Sequence, residues 1–122
     1  MNAKVLIVDD SSLTRRNLRQ ILETAGCAVV EADNGLDARE RYFLEKPDVV
    51  MLDLVMRGMY GLDVLQKIRE LDPRARVIVV SADIQTSSQD LAGEAGAAAF
   101  INKPFDKSDI LSALDTALAG AS

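Results

Sequence analysis

The sequence has one cysteine, fewer basic than acidic residues and no long apolar run. Cys27 cannot form an internal disulfide, and its apolar neighbours indicate a small buried side chain and not a reactive thiol. The 14 basic residues are outnumbered by 19 acidic ones, and the net charge of −5 argues against a nucleic-acid surface. The first apolar run, Val5–Val8, is too short for a signal peptide or a membrane span. We therefore expect a cytoplasmic protein that contacts proteins or cations.

Length and composition indicate a single domain. With 122 residues, of which 48% are hydrophobic, the chain is long enough to bury one core and too short for two. The alanine-rich stretch AGEAGAAAF is typical of a helix end that leads into a strand of small residues, so it does not indicate a linker. We expect residues 1–122 to form one domain.

Short apolar runs alternate with segments of helical periodicity. The runs are almost continuously apolar, which is typical of parallel strands covered on both faces. Each helical segment carries one apolar stripe, and the stripe of the second helix is the weakest. The predicted strands are Lys4–Val8, Val29–Ala32, Val49–Leu52, Val77–Val80 and Ala98–Ile101. The stripes are Leu18, Ile21, Leu22 and Ala25; Leu36, Phe43 and Leu44; Val64, Leu65, Ile68 and Leu71; Leu91, Ala92 and Ala95; and Ile110, Leu111, Leu114 and Leu118.

Five strands alternating with five helices predict an α/β fold with three layers, an α/β/α sandwich, because right-handed crossovers place helices on both faces of a parallel sheet. Ligands of such sheets bind beyond the carboxyl ends of the strands. The polar residues directly after the apolar runs are therefore candidate site residues. They are Asp9, Asp10, Asp33, Asp53, Ser81, Asn102 and Lys103. Asp33 is interpreted as part of a turn with Asn34 and Gly35.

Three of these carboxylates, Asp9, Asp10 and Asp53, converge if the first and third strands are neighbours. Two unit charges about 4 Å apart repel by roughly 4 kcal/mol at an effective dielectric of about 20. A hard divalent cation relieves this repulsion, and Mg²⁺ suits an all-oxygen site that keeps waters and shares a phosphoryl group. Lys103 and Ser81 offer a positive charge and a hydroxyl to phosphoryl oxygens. The pattern favours phosphoryl transfer to Asp53 as the nucleophile.

Each of these residues has a simpler explanation when taken alone. Asp9 or Asp10 by itself is more often a helix N-cap than a metal ligand, and Ser81 or Lys103 by itself is an ordinary loop residue. The combination favours a joint site because an acidic pair, an acid, a hydroxyl and a lysine end four different strands in that order.

Four segments of the sequence resemble the motifs of a known family. VLIVDDS, DVVMLDLVM with Gly61, VIVVSAD and GAAAFINKPF are similar to the motifs of bacterial two-component response-regulator receiver domains, in particular the single-domain chemotaxis (CheY-like) type. The resemblance extends from Lys4 to Leu118. It implies a (βα)5 flavodoxin-like fold with parallel sheet order 2-1-3-4-5, in which the first and third strands are adjacent.

The resemblance also implies a role for each residue at the metal site. Asp53 corresponds to the phosphoacceptor and also to a ligand of Mg²⁺. Asp10 corresponds to a direct ligand of Mg²⁺, and Asp9 to one that acts mainly through water. The backbone carbonyl of Val55 completes the protein ligands.

Further positions correspond to the residues that respond to phosphorylation. Ser81 and Lys103 correspond to residues that contact the phosphoryl group, and Ser81 with Phe100 to the conformational switch. An aromatic residue in a strand is otherwise more often plain core. The family also implies a cis Lys103–Pro104 bond.

Two features concern the lifetime of the phosphorylated state and the loop after Asp53. Val55 and Asp83 correspond to positions beside the path of water to the phosphoryl group. Val55 is apolar and β-branched and cannot orient a water, so we expect slow hydrolysis. Arg57 stands where many members of the family have proline, which leaves the conformation of this loop open.

The predicted function is a stand-alone, phosphorylation-dependent signalling switch and not a turnover enzyme. The resemblance implies a histidine kinase as phosphodonor and output through the fourth and fifth helices and the fifth strand. The candidate output targets are the flagellar motor and another signalling protein, and an auxiliary phosphatase is an additional candidate partner.

Two enzyme or ligand-binding classes fit less well, and a third class stays open. A phosphohydrolase that forms an aspartyl-phosphate usually has a second acid two residues later, where this chain has Val55. A nucleotide-binding module needs a glycine-rich loop after the first strand, where this chain has DDSSL. A structural adaptor that never accepts phosphate is compatible with the sequence.

Overall fold

A five-stranded parallel sheet lies at the centre of the structure, a computed structural model that describes residues 2–82 and 86–119. Its strands are β1 (Lys4–Val8), β2 (Ala28–Ala32), β3 (Val49–Leu52), β6 (Val77–Ser81) and β7 (Ala99–Asn102). A short antiparallel hairpin, β4 (Val55–Met56) and β5 (Met59–Tyr60), follows β3. The helices are α1 (Ser12–Thr24), α2 (Gly35–Glu45), α3 (Gly61–Leu71), α4 (Thr86–Glu94) and α5 (Lys107–Ala119).

The order of the sheet is β2-β1-β3-β6-β7. Counted among the strands of this sheet alone, that is the predicted order 2-1-3-4-5, and the flavodoxin-like fold is confirmed. The central strands β1, β3 and β6 are almost wholly buried, whereas the edge strands β2 and β7 are partly exposed. Their nearly unbroken apolar sequences follow from having helices on both faces.

Two hydrophobic cores lie on opposite faces of the sheet, because successive side chains of a strand point to opposite faces. In β1, Leu6 and Val8 belong to the core beneath α2, α3 and α4. Val5 and Ile7 belong to the core beneath α1 and α5. The predicted α/β/α sandwich is therefore the arrangement of the described chain.

The buried face of α2 differs from the predicted stripe. Leu36, Phe43 and Leu44 are exposed, whereas Ala38 and Tyr42 are buried. Ala38 and Tyr42 pack in the core beneath α2, α3 and α4, and the Tyr42 hydroxyl donates a hydrogen bond to Asp72 at 2.6 Å. Hydrophobicity alone could not identify this face, because its packing depends on one small residue and one satisfied hydroxyl. The buried face of α4 differs less from its predicted stripe: Ala92 is buried as predicted, but Leu91 is exposed.

The β4–β5 hairpin has no counterpart among the predicted elements. Val55 pairs with Tyr60 and Met56 with Met59, so Arg57 and Gly58 form its two-residue turn. Two residues per strand are too few for a periodic pattern to reveal.

Within the described part of the chain, no helix has both the length and the apolar character needed to cross a bilayer.

Candidate functional site

The carboxyl ends of β1 and β3 bring two aspartates together. Val8 pairs with Leu52 across these neighbouring strands, so Asp9 and Asp53 emerge side by side. Asp9 is 2% exposed and Asp53 is 7% exposed. Asp10 is exposed beside them, and one carboxylate oxygen from each of the three lies within 4.8 Å of the others. The predicted convergence of the three carboxylates is confirmed.

Asp9 is held by bonds to its side chain and its backbone. Its Oδ1 accepts a hydrogen bond from the Ser11 amide at 2.8 Å. Its carbonyl accepts one from Arg15 Nη1 at 2.7 Å, and Arg15 Nε donates to Glu31 Oε1 at 2.9 Å. Ser11 caps α1, because its hydroxyl accepts from the amide of Thr14. The N-cap of α1 is thus Ser11, which leaves both aspartates for other contacts.

Asp53 is fixed by the start of the loop that follows β3. Its amide donates to the carbonyl of Val8 at 2.9 Å, and its Oδ1 accepts from the amide of Val55 at 3.1 Å. The amide of Gly61 donates to the carbonyl of Leu54 at 2.7 Å. A Cβ at residue 61 would overlap the backbone oxygen of Asp53, so α3 can start this close only with glycine. In the sequence, Gly61 is recognisable as a motif residue, but this requirement for close approach is visible only in the fold.

Lys103 connects the two buried aspartates. Its Nζ donates to Asp9 Oδ2 at 2.8 Å and to Asp53 Oδ2 at 3.2 Å. The residue follows β7, and its amide donates to the carbonyl of Ser81 at 2.9 Å. The Lys103–Pro104 bond is cis, as the resemblance implied. The lysine therefore neutralises part of the negative charge that Asp9 and Asp53 concentrate.

Burial and ion pairing act in opposite directions on the pKa values of Asp53 and Lys103. Burial raises the pKa of Asp53 above its usual value, and the Val55 amide and the charge of Lys103 only partly oppose this. Burial also acts to lower the pKa of Lys103, but the hydrogen bond to Asp9 and the charges of Asp53 and Asp9 outweigh it, so the pKa is raised. Lys103 is therefore a firmly protonated cation beside a carboxylate whose charge is costly.

Asp10 is contacted by the β4–β5 hairpin. Its Oδ2 accepts a hydrogen bond from the backbone amide of Arg57 at 2.8 Å. The loop that contains Arg57 is thus the turn of an ordered hairpin. The sequence did not reveal this contact, because it depends on the conformation of the hairpin turn.

The remaining predicted residues occupy different positions. Ser81 is fully buried at the carboxyl end of β6, beside β3. Phe100 lies in β7, pairs with Val79 and packs partly buried against the core beneath α2, α3 and α4. The side chain of Val55 is 59% exposed next to Asp53. Asp83 lies outside the described residues.

The donor set fits a hard divalent cation. Asp9, Asp10 and Asp53 offer only carboxylate oxygens, and Mg²⁺ prefers oxygen ligands. Two of these residues are buried, so their mutual repulsion is weakly screened by solvent. Lys103 supplies a single positive charge against three carboxylates, which leaves the site with an excess of negative charge.

Comparison with known proteins assigns the chain to a family. Residues 5–115 match the response regulator receiver domain family. The chain is 43% identical to chemotaxis protein CheY of Thermotoga maritima, with 94% of this chain and 97% of that protein covered. It is 40% identical to chemotaxis protein CheY of Bacillus subtilis, with 97% and 99% covered.

The fold agrees with a solved structure of the same kind. A CheY-like response regulator receiver domain protein from Methanospirillum hungatei superposes with a TM-score of 0.93 at 26% identity, covering 99% of this chain and 97% of that one. Receiver domains are signalling switches that bind Mg²⁺ at an acidic pocket, and the three aspartates form such a pocket here. The chain belongs to the family of response regulator receiver domains.

Proposed function

We propose that the protein is a signalling switch that accepts a phosphoryl group from a histidine kinase onto Asp53. The observation that carries this proposal is the buried Asp53 carboxylate, bonded to Lys103 and within 4.8 Å of oxygens from Asp9 and Asp10. Such a site combines a nucleophile, a fixed cation and a cation-binding acidic pair.

The proposed transfer requires little covalent chemistry from the protein. A carboxylate oxygen of Asp53 forms a bond to phosphorus while the P–N bond of the phosphohistidine breaks, and its electron pair stays on the imidazole nitrogen. When bound, Mg²⁺ would supply charge that offsets the developing negative charge on the phosphoryl oxygens. Asp9, Asp10, Asp53 and the backbone carbonyl of Val55 would hold it.

Lys103 and Ser81 would read the presence of the phosphoryl group. Lys103 Nζ already donates a hydrogen bond to the carboxylate that would carry the phosphoryl group, so it would lie next to that group. The group adds about −1.5 to −2 charges, which Lys103 and the Ser81 hydroxyl would contact. Ser81 ends β6 and Phe100 lies in the adjacent β7, so a shift of Ser81 would reach Phe100 and the surface of α4, β7 and α5.

The partners follow from this role. A histidine kinase would be the phosphodonor, and the output target would be the flagellar motor or another signalling protein. The protein would assist both its own phosphorylation and its own dephosphorylation, the latter slowly. It would not turn over a substrate. Val55 and Asp83 would set the lifetime of the phosphorylated state, and an auxiliary phosphatase would supply the polar group that Val55 lacks.

Intact-mass spectrometry with a small phosphodonor tests the proposal. We expect acetyl phosphate with Mg²⁺ to add the mass of one phosphoryl group to the wild-type protein. Asp53→Asn, which keeps the size of the side chain but removes the nucleophile, should gain none. Chelating the metal should suppress the reaction in the wild type. Equal labelling of both proteins would contradict the role of Asp53, and no labelling of either would favour the structural adaptor.

A further inference from the structure

The backbone amide of Arg57 is the contact that orients Asp10. It donates to Asp10 Oδ2 at 2.8 Å across 47 positions of sequence. Within residues 2–82 and 86–119, no hydrogen bond is found at Asp10 Oδ1. Because the side chain is exposed, packing restrains the carboxylate little, and the bond from the Arg57 amide is the hydrogen bond that holds it within the described residues.

The other two aspartates of the site do not depend on one bond. Asp9 is held by the Ser11 amide and by Lys103, and Asp53 by the Val55 amide and by Lys103. Both are also buried, which restricts their rotamers. Asp10 is therefore the carboxylate of the three whose orientation is least constrained by the rest of the fold.

The β4–β5 hairpin is built to present this amide. Val55 and Met56 pair with Tyr60 and Met59, which leaves Arg57 and Gly58 as the two turn residues. Gly58 has a φ of +70°, whereas Arg57 is not among the residues with positive φ. This combination suits a type II turn, in which the first central residue has a negative φ and glycine is favoured at the second. The turn amide is thereby fixed relative to the strands.

We propose that the backbone amide of Arg57 is a positioning group for cation binding by Asp10. The bond holds the carboxylate in one orientation and leaves Oδ1 without a hydrogen bond in the described residues, so the carboxylate does not have to be ordered when the cation binds. This inference rests on the proposed cation site. Hydrogen bonds to metal-binding carboxylates typically change metal affinity by about tenfold or more.

The chain offers a matched pair of variants at this position. Arg57→Pro removes the amide hydrogen, and proline is favoured at the first central position of a type II turn, so the hairpin is retained. Arg57→Ala removes the same guanidinium but keeps the amide. The difference between the two variants therefore reports the hydrogen bond and not the charge of the side chain.

Calorimetric titration with Mg²⁺ alone measures the effect without any phosphorylation step. We expect the Kd of Arg57→Pro to be at least threefold higher than that of Arg57→Ala, at low constant ionic strength. A smaller increase, or tighter binding by Arg57→Pro, would overturn the positioning role. If the wild type does not bind Mg²⁺, or if Asp10→Asn binds it as well as the wild type, the proposed cation site fails and the positioning role fails with it.

Hydrogen exchange in the wild-type protein provides a test that needs no variant at residue 57. The Arg57 amide should be protected from exchange, and protection should persist at saturating Mg²⁺ because the bond to Oδ2 is kept. Asp10→Ala should lose the protection. Loss of protection on adding Mg²⁺ would show that the amide competes with the cation, and it would overturn the proposal even if Arg57→Pro did not fold.

Discussion

At the scale of single residues, Asp53 is a carboxylate in an environment that disfavours its charge. Burial raises its pKa above the ordinary value of 3.8, despite the Val55 amide and Lys103. A carboxyl group with a raised pKa in the folded state binds its proton more tightly there than in the unfolded chain. Its contribution to stability is therefore complete below the unfolded pKa and is lost as the pH rises through the folded pKa.

This residue leads to a prediction about pH. In the absence of divalent cations, Asp53→Asn should melt at a higher temperature than the wild type at pH 7, since the amide carries no charge to bury. The difference should shrink as the pH falls and should vanish below the unfolded pKa of 3.8. Thermal melts across this range, with exposed Asp115→Asn as a control for net charge, measure it. A wild type that melts higher at pH 7 would contradict the prediction.

Val55 carries a second prediction at this scale. Its side chain is exposed beside Asp53 but has no group that can orient a water by hydrogen bonding. We expect Val55→Asn to lose its phosphoryl group faster than the wild type, by roughly tenfold if the amide orients the attacking water. Val55→Ala, which opens space without adding a polar group, should change the rate much less. Decay of the phosphoprotein after donor removal is the measurement, and equal rates for Val55→Asn and the wild type would refute the role.

The sequence predicted the site residues that end strands. Asp9, Asp53 and Lys103 follow apolar runs, and parallel strands bring their carboxyl ends to one edge of the sheet. The bond between Asp10 and the Arg57 amide was not predictable, because it depends on a turn of a two-residue hairpin. Sequence periodicity contains no information about such a contact.

At the scale of elements, α2 shows how a helix can be fixed by its first turn. Asn34, which the sequence predicts to lie in a turn, is the N-cap of α2. Its Oδ1 accepts a hydrogen bond from the amide of Asp37 at 2.8 Å. The cap fixes where the helix begins even though its apolar stripe is weak.

The cap supports a stability prediction. Asn34→Ala should lower the free energy of unfolding by about 1 kcal/mol, because an amide at the start of α2 loses its acceptor. Asn34→Asp keeps an acceptor and should be close to the wild type. Urea denaturation measures both variants. The assignment is wrong if the alanine variant is as stable as the aspartate variant.

Elements were predicted better than the faces they bury. The strands were found to within a residue or so because their apolar sequences result directly from burial on both faces. The predicted buried face of α2 is wrong, because Leu36 and Leu44 are apolar but exposed, whereas Ala38 and Tyr42 are buried. A helix on the outside of a sheet can expose leucines at modest cost, so hydrophobicity identifies its contact face poorly.

At the scale of the whole molecule, the three aspartates couple cation binding to folding. Asp53 is distant in sequence from the adjacent pair Asp9 and Asp10, and the three carboxylates converge only when β1 and β3 pair. A cation that binds the folded chain and not the unfolded one raises stability by mass action. The order of the strands in the sheet was predicted from the family resemblance, since periodicity alone does not show which strands are neighbours.

This coupling predicts that Mg²⁺ stabilises the fold. At ten times its Kd, Mg²⁺ should raise the free energy of unfolding by about 1.4 kcal/mol. Asp10→Asn should lose most of this increase, whereas exposed Asp115→Asn should keep it. Melting temperature against Mg²⁺ concentration, at constant ionic strength, measures the effect. An identical increase in Asp10→Asn would remove Asp10 from the cation site.

The central claim is that phosphorylation occurs on the carboxylate of Asp53. Borohydride reduces an acyl phosphate on aspartate to homoserine, so treatment of the phosphorylated protein followed by peptide mapping identifies the residue directly. We expect homoserine at residue 53 in the wild type, formed only when both Mg²⁺ and phosphodonor were present. Homoserine at another aspartate, or phosphoprotein without homoserine at residue 53, would contradict the account.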